Sequence, residues 1–268
     1  LDGCSQGRFG IEILTAGSVP TFSVITINYN NLRGLRRTFA SVQQQTARNE
    51  IQWIVVDGNS SDGSAAFLQE HASDIDVLCI EKDAGIYDAM NKGLALAEAP
   101  YVWFMNSGDI IYQDDVAEKL CAMTASNPDV LFGDTMFIDE RGMELGLISK
   151  LKPQRFPEKL DKWSFRFGMN LCHQSFIAKK SICPAYDLQY RQAADVDWII
   201  RILEKNPVNV RYDGVIAGFE TGGSSAQHEK KAWKERFNVL SKHYGFLPNC
   251  INHCWIVLRR LMFNLKNQ

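Results

Sequence analysis

Long apolar runs are missing from this 268-residue chain, and no stretch approaches the ~18 residues that a membrane span requires. A net charge of one sign is missing too, since 31 acidic residues against 29 basic ones leave −2. That excludes a wholly basic nucleic-acid binder and an acidic solvating tail, and no nucleic-acid partner is expected. There is no internal repeat and no low-complexity linker. The seven cysteines (Cys4, Cys79, Cys121, Cys172, Cys183, Cys250 and Cys254) contain no C-x-x-C pair. Free thiols in a reducing cytoplasm are the simplest reading. Cys250, His253 and Cys254 lack the second pair that a zinc site of standard spacing needs. Two phosphate-binding signatures are absent as well: no G-x-G-x-x-G follows the first strand, and no G-x-x-x-x-G-K-[ST] occurs. A dinucleotide fold of the usual kind and a P-loop are excluded.

What is present is an ordinary globular composition, 46% hydrophobic and 22% charged. A chain this long buries roughly three-quarters of its unfolded surface without a disulfide scaffold. Residues 1–20 begin at Leu1, show no clear period and lack the basic start and apolar core of a secretory signal. They are read as a loosely attached arm or an expression remnant. From Phe22 the pattern becomes regular, with β-branched or apolar strands at 22–28, 51–57, 76–81 and 101–105. Helical periodicity intervenes at Leu32, Leu35, Phe39 and Val42, in a short helix with Ala66, Phe67 and Leu68, and over 86–98. Strands nearly continuous in apolar residues and alternating with helices predict α/β architecture, a mostly parallel sheet with helices on both faces. The second half is less regular. A hairpin is expected over 130–139 and 143–149, a long surface loop at 151–170, and a strand at 171–178. A helix at 193–205 and a strand at 209–219 follow. Gly222-Gly-Ser-Ser225 then breaks the chain before a C-terminal helical extension.

Ligands of open α/β sheets bind beyond the carboxyl ends of the strands. Four polar clusters fall there: Asn28-Tyr29-Asn30, Asp57, Lys82-Asp83 and Asn106-Ser-Gly-Asp109. Each alone is an ordinary turn former. Four in register describe a polar cleft. With no glycine-rich loop to receive a diphosphate, a divalent cation, Mg²⁺ or Mn²⁺, held on Asp109 would neutralise it. A β-turn cap is the bland alternative for that residue.

These residues carry a resemblance. Ser23-Val-Ile-Thr-Ile-Asn-Tyr-Asn30, Ile54-Val-Val-Asp-Gly-Asn-Ser-Ser-Asp-Gly63, Asp83-Ala-Gly-Ile-Tyr-Asp-Ala-Met-Asn-Lys-Gly93 and Phe104-Met-Asn-Ser-Gly-Asp109 resemble family 2 glycosyltransferases of the GT-A fold. The nearest likeness is to bacterial exopolysaccharide enzymes of the colanic-acid type, and it runs from about Phe22 to Tyr244. The resemblance implies an inverting, metal-dependent enzyme that moves a sugar from a nucleotide-diphosphate donor, UDP first, to a saccharide acceptor. A lipid-linked acceptor in surface polysaccharide assembly is expected, and a UDP-α-sugar would give a β-linked product. The catalytic domain is expected over 21–226, with a donor half at 21–140 and an acceptor half at 141–226. By the same resemblance, Asn28, Tyr29, Asn30, Asp57, Asp83, Gly85, Asp88, Asn91 and Asn106 bind the donor, and Asp109 is the direct metal ligand. Asn106 stands where the family carries its first Asp, an amide that brings no charge. Asp195 matches the catalytic base, although Ala194 precedes it where the family has Glu. Asp197 is the rival, on a different face of the helix start.

His173, Gln174 and Trp163 are expected on the acceptor side, against the alternatives of a core histidine and a loop anchor. His228 is a further candidate for the metal shell. Residues 227–268 read as basic amphipathic helices, with eight Lys/Arg against two Glu over 229–268. They suit an anionic membrane surface, domain packing or a homodimer interface. The expected location is the inner face of a bacterial cytoplasmic membrane, held peripherally. Two other functions stay open: a non-catalytic sugar-nucleotide-binding subunit, motivated by Asn106 and Ala194, and a nucleotidyltransferase.

Overall fold

The computed structural model describes residues 19–153, 156–169, 171–223 and 229–266. Its first half follows the hydrophobic pattern. Strand β1 (Phe22–Asn28), helix α1 (Leu32–Gln43), β2 (Ile51–Asp57), α2 (Ser64–Glu70), β3 (Val77–Ile80), α3 (Ile86–Leu96) and β4 (Tyr101–Phe104) alternate in chain order. Strands β1 and β2 are buried at every position, as continuous apolar runs demand. Alternate residues still separate by face. Ile25, Ile27, Ile54 and Val56 join the core beside α3, whereas Val24, Trp53 and Val55 join Leu35 and Val42 of α1.

The second half adds β5 (Ile110–Ile111), α4 (Val116–Met123), β6 (Val130–Ile138), β7 (Glu144–Leu147) and α5 (Ile148–Leu151). Then come β8 (Phe176–Lys179), α6 (Ala194–Leu203), β9 (Asn209–Glu220), α7 (Glu229–Tyr244) and α8 (Phe246–Lys266). One sheet takes the order β3-β2-β1-β4-β8-β6-β9-β5, with β7 on β6. Pairing is parallel from β3 to β4 and between β6 and β9; β8 enters antiparallel to both β4 and β6.

The strand expected over 171–178 is shorter than its apolar pattern. His173–Ser175 forms a 3₁₀ turn, and only Phe176–Lys179 is strand. The reason is polar. The Ser175 amide closes the turn on Cys172 O at 3.0 Å, and the Ser175 hydroxyl meets Thr135 Oγ1 at 2.7 Å. The remaining polar side chains of that turn, His173 and Gln174, are buried and take distant partners, Tyr186 and Asp109. Residues 1–18 and His228 lie outside the described residues.

Candidate active site

Parallel register brings the strand ends together. Asn28 and Asp57 are Cα partners, Asp57 pairs with Ile80, and the Ser107 amide donates to Ile27 O at 3.0 Å. The four polar clusters therefore share one edge, beyond the carboxyl ends of the strands.

On the donor side, Tyr29 is exposed and Asp83 half-buried. A Cβ on Gly58 would come within 2.6 Å of Asp83 Oδ2 and 3.0 Å of Tyr29 Cδ2, so glycine leaves that space to the carboxylate and the ring. Asp83 Oδ1 accepts from the Gly85 amide at 2.8 Å, and Asp88 Oδ2 from the Ala84 amide at 2.9 Å. Gly85 has φ +124°, in the region that favours glycine. Asn30, also at positive φ, accepts the Ser61 amide at 2.8 Å.

Two expected donor contacts are placed differently. Asp57 is fully buried, taking the Ser60 amide on Oδ1 (2.8 Å) and Asn28 Nδ2 (2.6 Å) and the Ser60 hydroxyl (2.8 Å) on Oδ2. It shapes the loop from within. Asn91 clasps the backbone of Tyr186, its Oδ1 accepting from N at 2.7 Å and its Nδ2 donating to O at 3.1 Å. It ties α3 to the second half of the chain.

The Asn106–Asp109 loop is pinned from α1. The Thr38 hydroxyl donates to Asp109 O at 2.7 Å and accepts the Gly108 amide at 3.0 Å. Asn31, which caps α1 through the Gly34 amide, also reaches Ser107 O at 3.1 Å. Gly108 has φ +107°, and a Cβ there would meet Glu220 Oε2 at 2.7 Å. Asp109 is buried; Oδ2 accepts from Gln174 Nε2 at 2.7 Å and Oδ1 from the Glu220 amide at 3.0 Å. Burial pushes its carboxyl up to about 7, with the Glu220 charge adding and those hydrogen bonds opposing. Glu220 is itself held by Arg33 at 2.9 Å and Arg37 at 3.0 Å. Gln174 is thus tied to the Asp109 loop.

His173 is likewise drawn inward. It is buried against Phe104, Tyr186 and Trp198, and burial lowers its pKa to about 4. Its Nε2 lies 2.6 Å from the Tyr186 hydroxyl. Tyr186 stacks on Tyr87, and Tyr87 Oη donates to Asp195 Oδ1 at 3.1 Å. A continuous chain of contacts, Asp109–Gln174–His173–Tyr186–Tyr87–Asp195, therefore joins the metal-motif loop to the start of α6. Asp195 is half-buried. Asp197 is fully buried and paired with Arg201 (2.7 Å), Lys242 (3.1 Å) and His243 (2.9 Å). Burial alone would raise its pKa, but those partners hold it at about 2. Trp163 is partly exposed and stacks on Tyr244 at 5.6 Å, which fits a loop anchor.

The loop that carries Asp109 offers oxygens to a cation. Asn106 Oδ1 is buried and has no hydrogen-bond partner among the described residues. Each Asp109 oxygen keeps a further lone-pair site. An oxygen pair with one carboxylate fits Mg²⁺ or Mn²⁺ of which substrate phosphates complete the shell. Among the described residues no group of three or more His, Cys, Asp or Glu is arranged to hold a metal by itself.

The family model described as Glycosyl transferase family 2 matches residues 23–183, more than half of the chain. The chain belongs to glycosyl transferase family 2. In its GT-A-type fold the contacts above join the β1–β4 edge to the start of α6. An uncharacterised glycosyltransferase of Mycobacterium tuberculosis is 33% identical over 247 residues, 89% of this chain and 91% of that relative. A PGL/p-HBAD biosynthesis glycosyltransferase of Mycobacterium bovis is 27% identical over 235 residues, 84% and 87% of the two chains. Among solved structures, S. aureus TarS 1–349 in complex with UDP superposes with a TM-score of 0.62 at 16% identity. The match covers 83% of this family 2 chain and 65% of that one, a likeness of fold.

Sequence reasoning missed Thr38, Tyr87 and Glu220 as parts of this family 2 site. Tyr87 stood inside a quoted motif, but helical periodicity gives it to the core, where most of its ring does lie. Thr38 and Glu220 carry no local signal, because their partners are 71 and 111 residues away in the chain.

Proposed function

We propose that this family 2 chain is an inverting glycosyltransferase that moves a sugar from a nucleoside-diphosphate donor to the hydroxyl of a lipid-linked saccharide, at a membrane surface. The observation that carries the reading is the chain of contacts that links Asp109 to Asp195 across one cleft. Residues 21–140 form the donor half and 141–226 the acceptor half. UDP is the nucleotide we assign, supported by the UDP held in the TarS structure that shares the fold.

Tyr29 and Asp83 line the nucleoside end, with Gly58 leaving room between them. Asp109 and Asn106 would hold the divalent cation, which when bound supplies charge neutralisation to the leaving diphosphate. Asp195 is the general base. Its Oδ1 takes the Tyr87 hydrogen bond, and Oδ2 receives the acceptor proton. The acceptor oxygen bonds to the anomeric carbon as the carbon–phosphate-oxygen bond breaks on the opposite face, which inverts that centre. Asp197, buried in its cluster of cations, is withheld from this role.

Nucleotide release with a saccharide acceptor tests the assignment. Asp195→Asn and Asp109→Asn should each lower transfer by about 10²-fold or more while far-UV circular dichroism is unchanged. Near-full activity in Asp195→Asn would remove the base assignment. Donor binding without turnover across a panel of acceptors would favour a binding subunit instead.

A further inference from the structure

Helix α8 is mounted with its polar side toward the protein. Asn249 is fully buried, its Nδ2 donating to Phe237 O at 3.0 Å and to Ser241 Oγ at 2.8 Å. One turn on, His253 Nδ1 lies 3.0 Å from Asn249 Oδ1, with its ring edge against Phe237. Further along, the Arg259 guanidinium donates to Phe167 O. The opposite face carries Leu247, Ile251, Trp255, Leu258, Met262 and Leu265, spaced by three or four residues and all exposed; Leu247 and Leu265 are 74% accessible and Ile251 72%. A helix at the surface of a water-soluble domain is oriented the other way. Among the described residues, nine of the eighteen exposed large hydrophobic side chains lie in this 21-residue helix, so the exposure is a patch and not scatter.

Charge decides what covers it. Helix α8 contains no Asp or Glu. Arg260 is exposed at the seam with α7, and Lys230, Lys231 and Lys234 are exposed on α7, against which α8 packs. Two copies of the chain meeting through this face would bring like charges together with no carboxylate on α8 to pair them. An anionic bilayer offers hydrocarbon to the stripe and phosphate to the cations. At the seam of the two helices a cleft of about 320 Å³ is lined by Trp233, Val257, Arg260 and Leu261, apolar walls beside one guanidinium.

We infer that α8 is a docking surface for an anionic lipid bilayer, lying in the plane of the interface with the Leu247–Leu265 stripe at the acyl boundary. The inference rests on the lipid-linked acceptor of the proposed function and gives it a place. Arg259 grips the 163–167 loop through Phe167 O, and Trp163 of that loop stacks on Tyr244 of α7. Lys242 and His243 of the same helix hold Asp197, two residues from Asp195. Docking would thereby set the base helix at a fixed distance from the lipid carrying the acceptor.

The test is co-sedimentation of the full chain with sucrose-loaded vesicles, either phosphatidylcholine alone or phosphatidylcholine mixed with phosphatidylglycerol. The wild type should pellet with the mixed vesicles and be released by salt. Ile251→Glu combined with Leu258→Glu, both at exposed positions, should lower the bound fraction about tenfold with the melting temperature unchanged. Equal pelleting of the double variant overturns the inference, as does a wild type that stays in the supernatant. A dimer in sedimentation velocity that the same double variant dissolves, without vesicle binding, would assign the face to a second copy and also overturn it. Nucleotide release with a water-soluble saccharide should be unchanged in the double variant. Loss of that reaction in the wild type with vesicle binding intact would refute the proposed reaction and leave the docking surface standing.

Discussion

Asp195 and Asp197 differ by two positions and have opposite surroundings. Two residues on a helix are about 200° apart, so one faces the cleft when the other faces the core. Asp197 spends its charge on Arg201, Lys242 and His243, whereas among the described residues Asp195 is hydrogen-bonded on Oδ1 alone, by Tyr87. Burial and the adjacent Asp195 carboxylate raise the Tyr87 pKa well above the usual phenol value, so it stays a donor. A hydrogen bond to a charged group contributes about 1.5–3 kcal/mol. Tyr87→Phe keeps the ring on Tyr186 and removes only that bond, so kcat should fall about tenfold with little change in KM. Steady-state kinetics decide this; an unchanged kcat would mean that Tyr87 only packs. At this scale the turn chemistry of Asp83, Gly85 and Asp109 was legible, because residue type fits the backbone there. The partners of Asp57, Asn91 and Gln174 were not, because packing sets them. The Gln174–Asp109 contact spans 65 residues, and nothing in the neighbourhood of either residue announces it.

At the level of elements, α7 is the strut between α6 and α8. Both ring nitrogens of His243 face carboxylates, Nε2 on Asp197 and Nδ1 on Glu204, each at 2.9 Å. Only the imidazolium has two N–H donors to satisfy both. Burial works against the charge, but these partners raise the His243 pKa above its ordinary value. Its stabilisation is therefore fully present below the unfolded value of about 6.5 and lost as pH rises through the raised folded value. Asp197 behaves oppositely, contributing above its ordinary 3.8 and losing that contribution as pH falls toward about 2. The melting temperature should decline from pH 6 to pH 9, and His243→Gln should flatten that decline; calorimetry across this range is the check, and parallel slopes would show that His243 contributes nothing. The first four strands were legible as elements because a strand buried on both faces must be apolar throughout. The 3₁₀ turn at His173–Ser175 was not, since its apolar flanks look like strand and its polar side chains take distant partners.

Over the whole molecule, the charge of −2 is the sum of +6 over residues 229–268 and −8 over residues 1–228. An anionic donor entering an acidic body needs a cation on its diphosphate, so donor binding should depend on Mn²⁺ or Mg²⁺. A ligand at a hundredfold its Kd stabilises the native state by about 2.7 kcal/mol, worth roughly 5–10 °C in Tm for a chain of this size. UDP with Mn²⁺ should produce such a shift in a thermal melt, Asp109→Asn should abolish it, and an equal shift without any divalent ion would contradict the metal assignment. The sequence by itself determined the alternation of strands and helices, the four polar strand ends and the basic character of the last forty residues. These follow from short-range periodicity, turn chemistry and composition. Only the tertiary structure decided which of the two carboxylates is buried among cations, which polar groups are tied to distant backbone, and that α8 shows its apolar side outward. Those outcomes depend on contacts between residues far apart in the chain, and a local pattern contains no record of which face its partner will cover.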